Sequence, residues 1–390
     1  MILWIVLFLV FMSLAVYALQ VIALRRKLRE EYAFINFPPI SIIKPLKGLD
    51  DNLFDNLESF CKQDYPEYEV ILSLQDYNDP AYRVAEKIRN KYPELVKVIL
   101  NNSYSALNPK VKNMISAYKE SKHDYFLISD SNVYVEPDYL KRTVSAMTHD
   151  TGLVTNLIMG AGGKTLGAKL ENLQLNSFVI ISVCFLDKFL KMPCSIGKSM
   201  LMRKSDFEEI GGFNAVKDVL AEDYIIGKLM HEKGKKVTLC SYIIKNVNEY
   251  WTLRRFLNRH TRWAKIRWRI AGAKYFTEPF SNPVFVSSMI FILDGFSKVS
   301  ITIFIAVATI KIAFDLYINR LMKSSTGLSG ILIPLKDLIT GLIWFVPLIS
   351  CKLNWRGNTY KIGKETKIIP YENNFSLKLI FNKLRTAIIN

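Results

Sequence analysis

The sequence predicts an α/β core on a mostly parallel sheet, with transmembrane helices on its N- and C-terminal sides. Three observations carry this. Residues Met1 to Leu24 contain no charged side chain. From about residue 40 to 130, short β-rich runs alternate with stretches of helical periodicity. After Pro283, long apolar blocks return.

An uncharged helix over Met1–Leu24 reaches about 36 Å at roughly 1.5 Å per residue, enough for a hydrocarbon core of ~30 Å. It reads as an anchor rather than a cleaved signal peptide. Arg25, Arg26, Lys27 and Arg29 follow the apolar run instead of preceding it, and no small-residue cleavage site closes it. Because Lys and Arg stay on the cytoplasmic side, the N-terminus is expected outside and everything from Arg25 starts in the cytoplasm. Residues 1–34 are therefore the anchor and its basic flank, and Pro38-Pro39 opens a cytosolic core over 35–279.

Within that core, Ser41–Lys44, Glu69–Leu74, Val96–Leu100 and Tyr125–Ser129 read as buried strands, and Asn52–Lys62, Ala81–Tyr92 and Lys110–Ser121 as crossover helices. Ligands of such sheets sit beyond the carboxyl ends of the strands, where Gln75-Asp76 and Asp130-Ser131-Asn132 fall. Farther on, Ile290–Phe296 and Val299–Phe314 are apolar blocks separated by Lys298, with Asp294 inside the first. They predict a hairpin of two helices from about Pro283 to Tyr317. A third block, Leu328–Ile349, is interrupted by Pro334, Lys336 and Asp337 and either spans or lies in the interface. Residues 280–350 thus form the C-terminal membrane region. Arg356, Lys361, Lys364 and Lys367 make 351–390 a basic cytosolic tail, which favours an even number of C-terminal crossings.

The net charge of +17 is concentrated beside the membrane segments, and no nucleic-acid-binding motif accompanies it. Anionic lipid is the partner it suits. Cys61, Cys184, Cys194, Cys240 and Cys351 include no CxxC pair, so neither a zinc site nor a disulfide framework is indicated.

Three groups carry chemistry: Asp130 after a strand, Glu222-Asp223 after Gly211-Gly212-Phe213, and Arg259-His260-Thr261-Arg262-Trp263. A sugar diphosphate leaving group needs positive charge or a metal, and an acceptor hydroxyl needs a base. Each group also has a plainer reading. Asp76 with Asp79-Pro80 can cap a helix, Asp130 can end a turn, and Glu222-Asp223 can complement a helix dipole. The basic stretch Thr252–Lys274, with Arg254, Arg255, Arg267 and Arg269 beside Trp263 and Trp268, suits an interfacial helix whose arginines face lipid phosphate. Arg262 stands apart because a guanidinium grips a diphosphate bidentately.

The motifs Lys44-Pro-Leu-Lys-Gly48, Gln75-Asp-Tyr-Asn-Asp-Pro80, Asn108-Pro-Lys110 with Asn113, Asp130-Ser131, Gly197–Arg203, Ala221-Glu-Asp-Tyr224 and Arg259-x-x-Arg-Trp263 run from about Ser41 to Pro283. In this set the chain resembles family-2-type GT-A glycosyltransferases, and more narrowly the ceramide glucosyltransferases with their bacterial hopanoid-associated relatives. The resemblance implies a GT-A fold with donor contacts at Lys44, Pro45, Asp76, Lys110 and Asp130, and Mg or Mn at Asp130. It further implies Asp223 as base, with Arg259, Arg262 and Trp263 at the diphosphate and acceptor mouth. An inverting transfer of hexose, glucose first, from a UDP-sugar to a membrane lipid such as ceramide is the expected reaction, in the cell (inner) membrane with the catalytic domain facing the cytoplasm.

Two departures qualify this. Asp130-Ser131-Asn132 stands where many such enzymes have Asp-x-Asp, which puts strict metal dependence in question. The stretch Leu173–Leu186, where the acceptor is expected, is mostly aliphatic and leaves the acceptor open between ceramide and a hopanoid-type or other lipid, with glucose or N-acetylglucosamine as the sugar. A processive polysaccharide synthase shares the Asp and Arg-Trp elements but needs more spans and tends to carry Gln where Arg259 stands. A membrane scaffold or transporter would place polar residues within several long spans.

Overall fold

The computed structural model describes residues 2–33, 36–100, 105–324, 327–355 and 358–370. Strands β1 (Ile40–Pro45), β2 (Tyr68–Leu74), β3 (Val96–Leu100) and β4 (Tyr125–Ile128) pair in parallel, as their apolar runs predict. With β5 (Val133–Tyr134), β6 (Thr151–Gly162), β7 (Met200–Arg203) and β8 (Lys236–Asn248), the sheet order is β3-β2-β1-β4-β7-β6-β8-β5. β7 is antiparallel to both β4 and β6, so the half beyond β4 is mixed. Helices Leu53–Cys61, Ala81–Lys91 and Pro109–Lys119 fall on the expected stretches.

Side chains alternate across the sheet with period two. Ile40, Ile42, Val70, Leu72 and Leu127 join one core, and Ile43, Ile71, Phe126 and Ile128 join the other. Both faces are covered, which is why these strands read as continuous apolar runs. The chain fills β1, β2 and β3 in one direction and then crosses to β4 on the opposite side of β1. A cleft opens at that reversal, beyond the carboxyl ends of β1 and β4.

Among the described residues, four helical segments are long and apolar enough to cross a membrane: Trp4–Lys27, Leu166–Phe189, Lys298–Leu321 and Gly327–Ile349. The first matches the expected anchor, but it is not a free tether. Tyr17, Val21 and Leu24 are buried against Ile180, Ile181 and Cys184 of the second segment. Lys27, at the end of the basic flank, is buried between Glu30, Asp187 and the Leu239 carbonyl. Leu166–Phe189 lies inside the stretch expected to be wholly cytosolic. Glu171, Asp187 and Lys188 dilute its apolar run, and it relaxes into a π-helical turn at Leu175–Val179.

The C-terminal hairpin turns at Gly295, whose φ of 58° suits only glycine without strain. Its first limb differs from expectation. Pro283–Asp294 is 12 residues long and reaches about 18 Å, short of a ~30 Å core. The second limb continues past Tyr317 to Leu321.

Part of the basic tail is also structured. β9 (Lys352–Trp355), β10 (Asn358–Ile362) and β11 (Ile368–Pro370) form an antiparallel sheet. It is strapped to the core by bonds from Leu220 N to Thr366 O (2.9 Å) and from Ile368 N to Asp218 O (2.8 Å). Leu353, Ile362 and Ile368 bury Leu220. This apolar contact, invisible in the charge pattern, holds the segment entering Glu222-Asp223. Arg356 and residues 371–390 lie outside the described residues.

Candidate active site

A cavity of about 990 Å³ occupies the cleft. Pro45, Lys110 and Asp130 line its sheet side, Asp223 its floor, and Arg259, Arg262 and Trp263 its roof. Seven of the expected site residues are thus brought together from segments more than 200 residues apart in sequence.

Two are not. Lys44 is fully buried beneath the cavity, its ammonium 3.4 Å from the Phe60 ring centroid and donating to the Asp130 carbonyl at 2.9 Å and to Ser129 Oγ at 3.3 Å. Inward alternation on β1 turns its side chain toward Phe60 and the Asp130 turn and off the cavity lining. Asp76 is exposed, and its carboxylate accepts from Asn78 N at 2.8 Å, an Asx turn within the loop before the helix. Asp79 accepts from Ala81 N, at the start of the helix Ala81–Lys91, at 3.0 Å. It also accepts from Gly48 N at 2.8 Å and fixes the loop after β1 where Gly48 needs a φ of 68°.

Asp130 follows the end of β4 and is gripped on both oxygens, Oδ1 by Lys110 Nζ and Oδ2 by Lys198 Nζ, each at 2.8 Å. Burial opposes its ionisation, yet the two ammonium groups outweigh it and hold the carboxyl well below the usual carboxylate range. Sequence reading missed Lys198 as a site residue. The register explains its position: Ile128 of β4 faces Met200 of β7, and two residues outward along each chain lie Asp130 and Lys198.

Glu222 and Asp223 start the helix Glu222–Glu232, so the dipole reading is correct as far as it goes. Glu222 is buried, with Oε1 on Lys110 Nζ at 2.8 Å and Oε2 accepting from Asn108 Nδ2 at 3.1 Å. Asp223 faces the cavity, and its oxygens accept from Gly197 N at 2.9 Å and Tyr224 N at 2.8 Å. Burial, and then the neighbouring Glu222 charge, raise its pKa from 3.8 to about 6. That suits a group that must take a proton near neutral pH.

Gly197 is where the backbone comes closest. A Cβ there would lie 2.8 Å from Asp223 Oδ2 and 3.2 Å from Lys110 Nζ. Asp223 Cβ also lies 3.2 Å away, so Gly197→Ala should cost some thermal stability while displacing the carboxylate. We expect turnover to fall by about 10²-fold, the scale of a ~1 Å misplacement. A variant that kept wild-type turnover would show that the Asp223 position is not critical.

The basic helix Leu253–Ala271 begins at Thr252, whose hydroxyl accepts from Arg255 N at 3.2 Å. Arg255, Arg259 and Arg267 pair with carboxylates elsewhere in the chain, where the interfacial reading expected lipid phosphate. Arg255 pairs with Asp50 at 3.3 Å, and Arg267 binds Glu278 through two bonds of 2.8 Å. Arg259 is buried between the Trp251 and Trp263 rings, 5.1 and 4.3 Å from their centroids, and pairs with Glu171 Oε1 at 3.2 Å. His260 Nε2 lies 2.8 Å from the other Glu171 oxygen, and burial lowers its pKa against that carboxylate. Arg254 lines the cavity, whereas Arg269 is exposed and retains the interfacial reading. Glu171 was also missed, although a carboxylate between apolar neighbours at the head of Leu166–Phe189 was a signal for it.

The opposite wall is apolar. Phe178, Val179, Ser182, Val183 and Leu186 repeat at helical spacing along one face of Leu166–Phe189 and line the cavity. This lies within the Leu173–Leu186 stretch expected at the acceptor side. Polar groups for a diphosphate and a wall for a hydrocarbon thus meet in one space.

The donor set does not fit the Mg or Mn expected at Asp130. All six carboxylate oxygens of Asp130, Glu222 and Asp223 already accept from protein donors, and position 132 supplies an amide that accepts from Lys198 at 2.6 Å. Among the described residues, no group of three or more His, Cys, Asp or Glu side chains is placed to hold a metal ion.

The sequence profile of glycosyl transferase family 21 matches residues 5–368. Ceramide glucosyltransferase 3 of Caenorhabditis elegans is 26% identical over 363 residues, covering 89% of this chain and 77% of that protein. Ceramide glucosyltransferase 1 of the same organism is 30% identical over 250 residues, and the matched part is 63% of this chain and 53% of the relative. Among solved structures, a mannosyltransferase from Pyrobaculum calidifontis in complex with GDP-Man and Mn2+ aligns with 87% of this chain and 98% of its own, at a TM-score of 0.49 and 12% identity. With a family match across nearly the whole chain and apolar helices at both ends of the core, the chain belongs to glycosyl transferase family 21 and is a membrane-associated hexosyltransferase.

Proposed function

We propose that the chain transfers glucose from a UDP-sugar to the hydroxyl of a membrane lipid, with ceramide as the acceptor, by one inverting displacement. The observation that supports this best is the juxtaposition in one cavity of Asp223, with its raised pKa, the cationic roof at Arg259 and Arg262, and the apolar wall Phe178–Leu186. Asp223 takes the acceptor proton as that oxygen attacks the anomeric carbon. The bond from that carbon to the diphosphate breaks on the opposite face, and its electron pair leaves with UDP. Arg262 steadies the charge that develops there. Pro45, Lys110 and Asp130 shape the donor side. A lipid hydroxyl enters from the bilayer along the apolar wall, with the core over 35–279 held between the membrane segments. Arg25 and Arg26, exposed at the end of the N-terminal helix, support a cavity facing the cytoplasm, in the inner membrane of a cell that has two.

The test uses the full chain in liposomes containing ceramide, supplied with labelled UDP-glucose. Labelled glycolipid of opposite anomeric configuration is expected, and absence of label in lipid would reject the acceptor class. Arg262→Lys keeps the charge but loses the planar fork, so turnover should fall about 10- to 100-fold, the worth of a charged hydrogen bond at ~1.5–3 kcal/mol. Partition into anionic liposomes should not change. Exposed Arg269 is the control: Arg269→Lys should leave both intact. Equal turnover in the two variants would remove any special role for Arg262.

A further inference from the structure

Lys110 and Lys198 both bind Asp130, but their bonding capacities differ. An ammonium has three N–H donors. Lys110 spends all three, on Asp130 Oδ1 (2.8 Å), Glu222 Oε1 (2.8 Å) and the Gly197 carbonyl (3.3 Å). Lys198 spends two, on Asp130 Oδ2 (2.8 Å) and Asn132 Oδ1 (2.6 Å), and its third has no partner among the described residues. Its side chain lines the cavity.

The charges divide in the same way. Asp130 and Glu222 together balance Lys110 and Lys198, and ionised Asp223, beside Lys110, adds one negative charge before a ligand enters. A second carboxylate at position 132 would add a further negative charge and neutralise Lys198, and would call for a divalent ion before a diphosphate could approach. Asn132 instead holds Lys198 in place without cancelling its charge. The amide in the Asp130-Ser131-Asn132 triplet and the lysine before β7 therefore act as a pair.

We propose that Lys198 supplies from the protein itself the cationic contact to the departing diphosphate, and that Lys110 is a positioning residue tying Asp130, Glu222 and Gly197 together. This rests on the nucleotide-sugar reading above and deepens it. As the bond between the anomeric carbon and UDP breaks, the electron pair goes to the diphosphate oxygen, and Lys198 donates a hydrogen bond to that group without giving up its proton. The acceptor proton still goes to Asp223. Fixed cations aimed where charge develops are a sufficient source of such stabilisation.

The experiment measures UDP binding by titration calorimetry, and sugar transfer in liposomes, with excess EDTA and with Mn2+. Wild-type binding and transfer are expected to agree within about twofold under the two conditions. Lys198→Met should lose about 10²–10³-fold in turnover, the scale of removing one such donor. Lys198→Arg should recover most of it, which a packing defect would not predict. Asn132→Asp should weaken UDP binding in EDTA and make it respond to Mn2+. Wild-type UDP binding abolished by EDTA and restored by Mn2+ would overturn the proposal, as would wild-type turnover in Lys198→Met. The EDTA titration of the wild-type protein decides the matter even if Lys198→Met fails to fold. Failure of the wild-type protein to bind UDP under either condition would instead reject the nucleotide-sugar reading, and this proposal with it.

Discussion

Asp223→Asn is expected to reduce sugar transfer by about 10²–10⁴-fold, the usual worth of a general base, while UDP binding survives. Asn preserves the size of the side chain, and its carbonyl oxygen can still accept one of the two backbone bonds from Gly197 and Tyr224. What it loses is basicity. The wild-type pH profile should show the same group: the carboxylate titrates at about 6, so turnover should fall as pH drops through that value. A residual rate in Asp223→Asn should lack this limb. The sign for stability is opposite to that for activity. A carboxyl whose pKa is raised on folding favours the folded state most below its unfolded value of 3.8, and that contribution is lost as pH rises through about 6. Asp223→Asn should therefore be more stable than wild type at neutral pH by thermal unfolding. Retention of more than about a tenth of wild-type transfer would remove Asp223 from the role of base.

Lys311→Met is expected to be the most damaging change outside the active site. Lys311 is buried on the helix Lys298–Leu321, 2.6 Å from Asp315 Oδ2 and 3.3 Å from Asp337 Oδ2. Lys336 completes the group, 2.5 Å from Asp337 Oδ1 and donating to Ser177 Oγ at 3.0 Å, and Tyr17 donates to Asp315. Side chains from all four membrane-length segments thus meet in one neutral cluster. Without Lys311, two carboxylates share one ammonium away from water, which costs about 3–5 kcal/mol. Unfolding in detergent should report that loss, and expression should fall with it. Lys311→Met combined with Asp315→Asn restores the charge balance and should recover much of the stability. A single variant as stable as wild type would mean that the cluster is solvated. Because Ser177 sits in the π-helical turn beside cavity residues Phe178 and Val179, the same cluster fixes the apolar wall of the active site.

The sequence by itself determined what depends on neighbours along the chain. Four parallel strands and their crossover helices are periodic patterns of 2 and 3.6 residues, each within a residue or two of its expected place. The N-terminal span is an uncharged run whose helix continues three residues past Leu24 to Lys27. Asp130 at a strand end, Asp223 at a helix start and the Arg259–Trp263 turn were likewise local motifs. The plainer reading of Glu222-Asp223 was also legible, since the helix dipole acts on charges in the first turn.

What only the tertiary structure decided depends on partners far apart in sequence. The inward turn of Lys44 follows from which face of β1 meets Phe60, and one residue of register would reverse it. Lys198 meets Asp130 only because β7 runs antiparallel to β4 at the register Ile128 to Met200. Arg255, Arg259 and Arg267 looked like lipid-facing charges because their carboxylates lie elsewhere in the chain, on Asp50 and Glu171 before the helix and Glu278 after it. Lys336 and Asp337 seemed to interrupt a span, when burial beside Lys311 and Asp315 makes them its link to the rest of the membrane bundle. Hydrophobic periodicity records which side of an element is buried. It does not record what waits on that side, and for a charged residue the choice between bilayer, water and an opposite charge is made by the partner that folding brings to it.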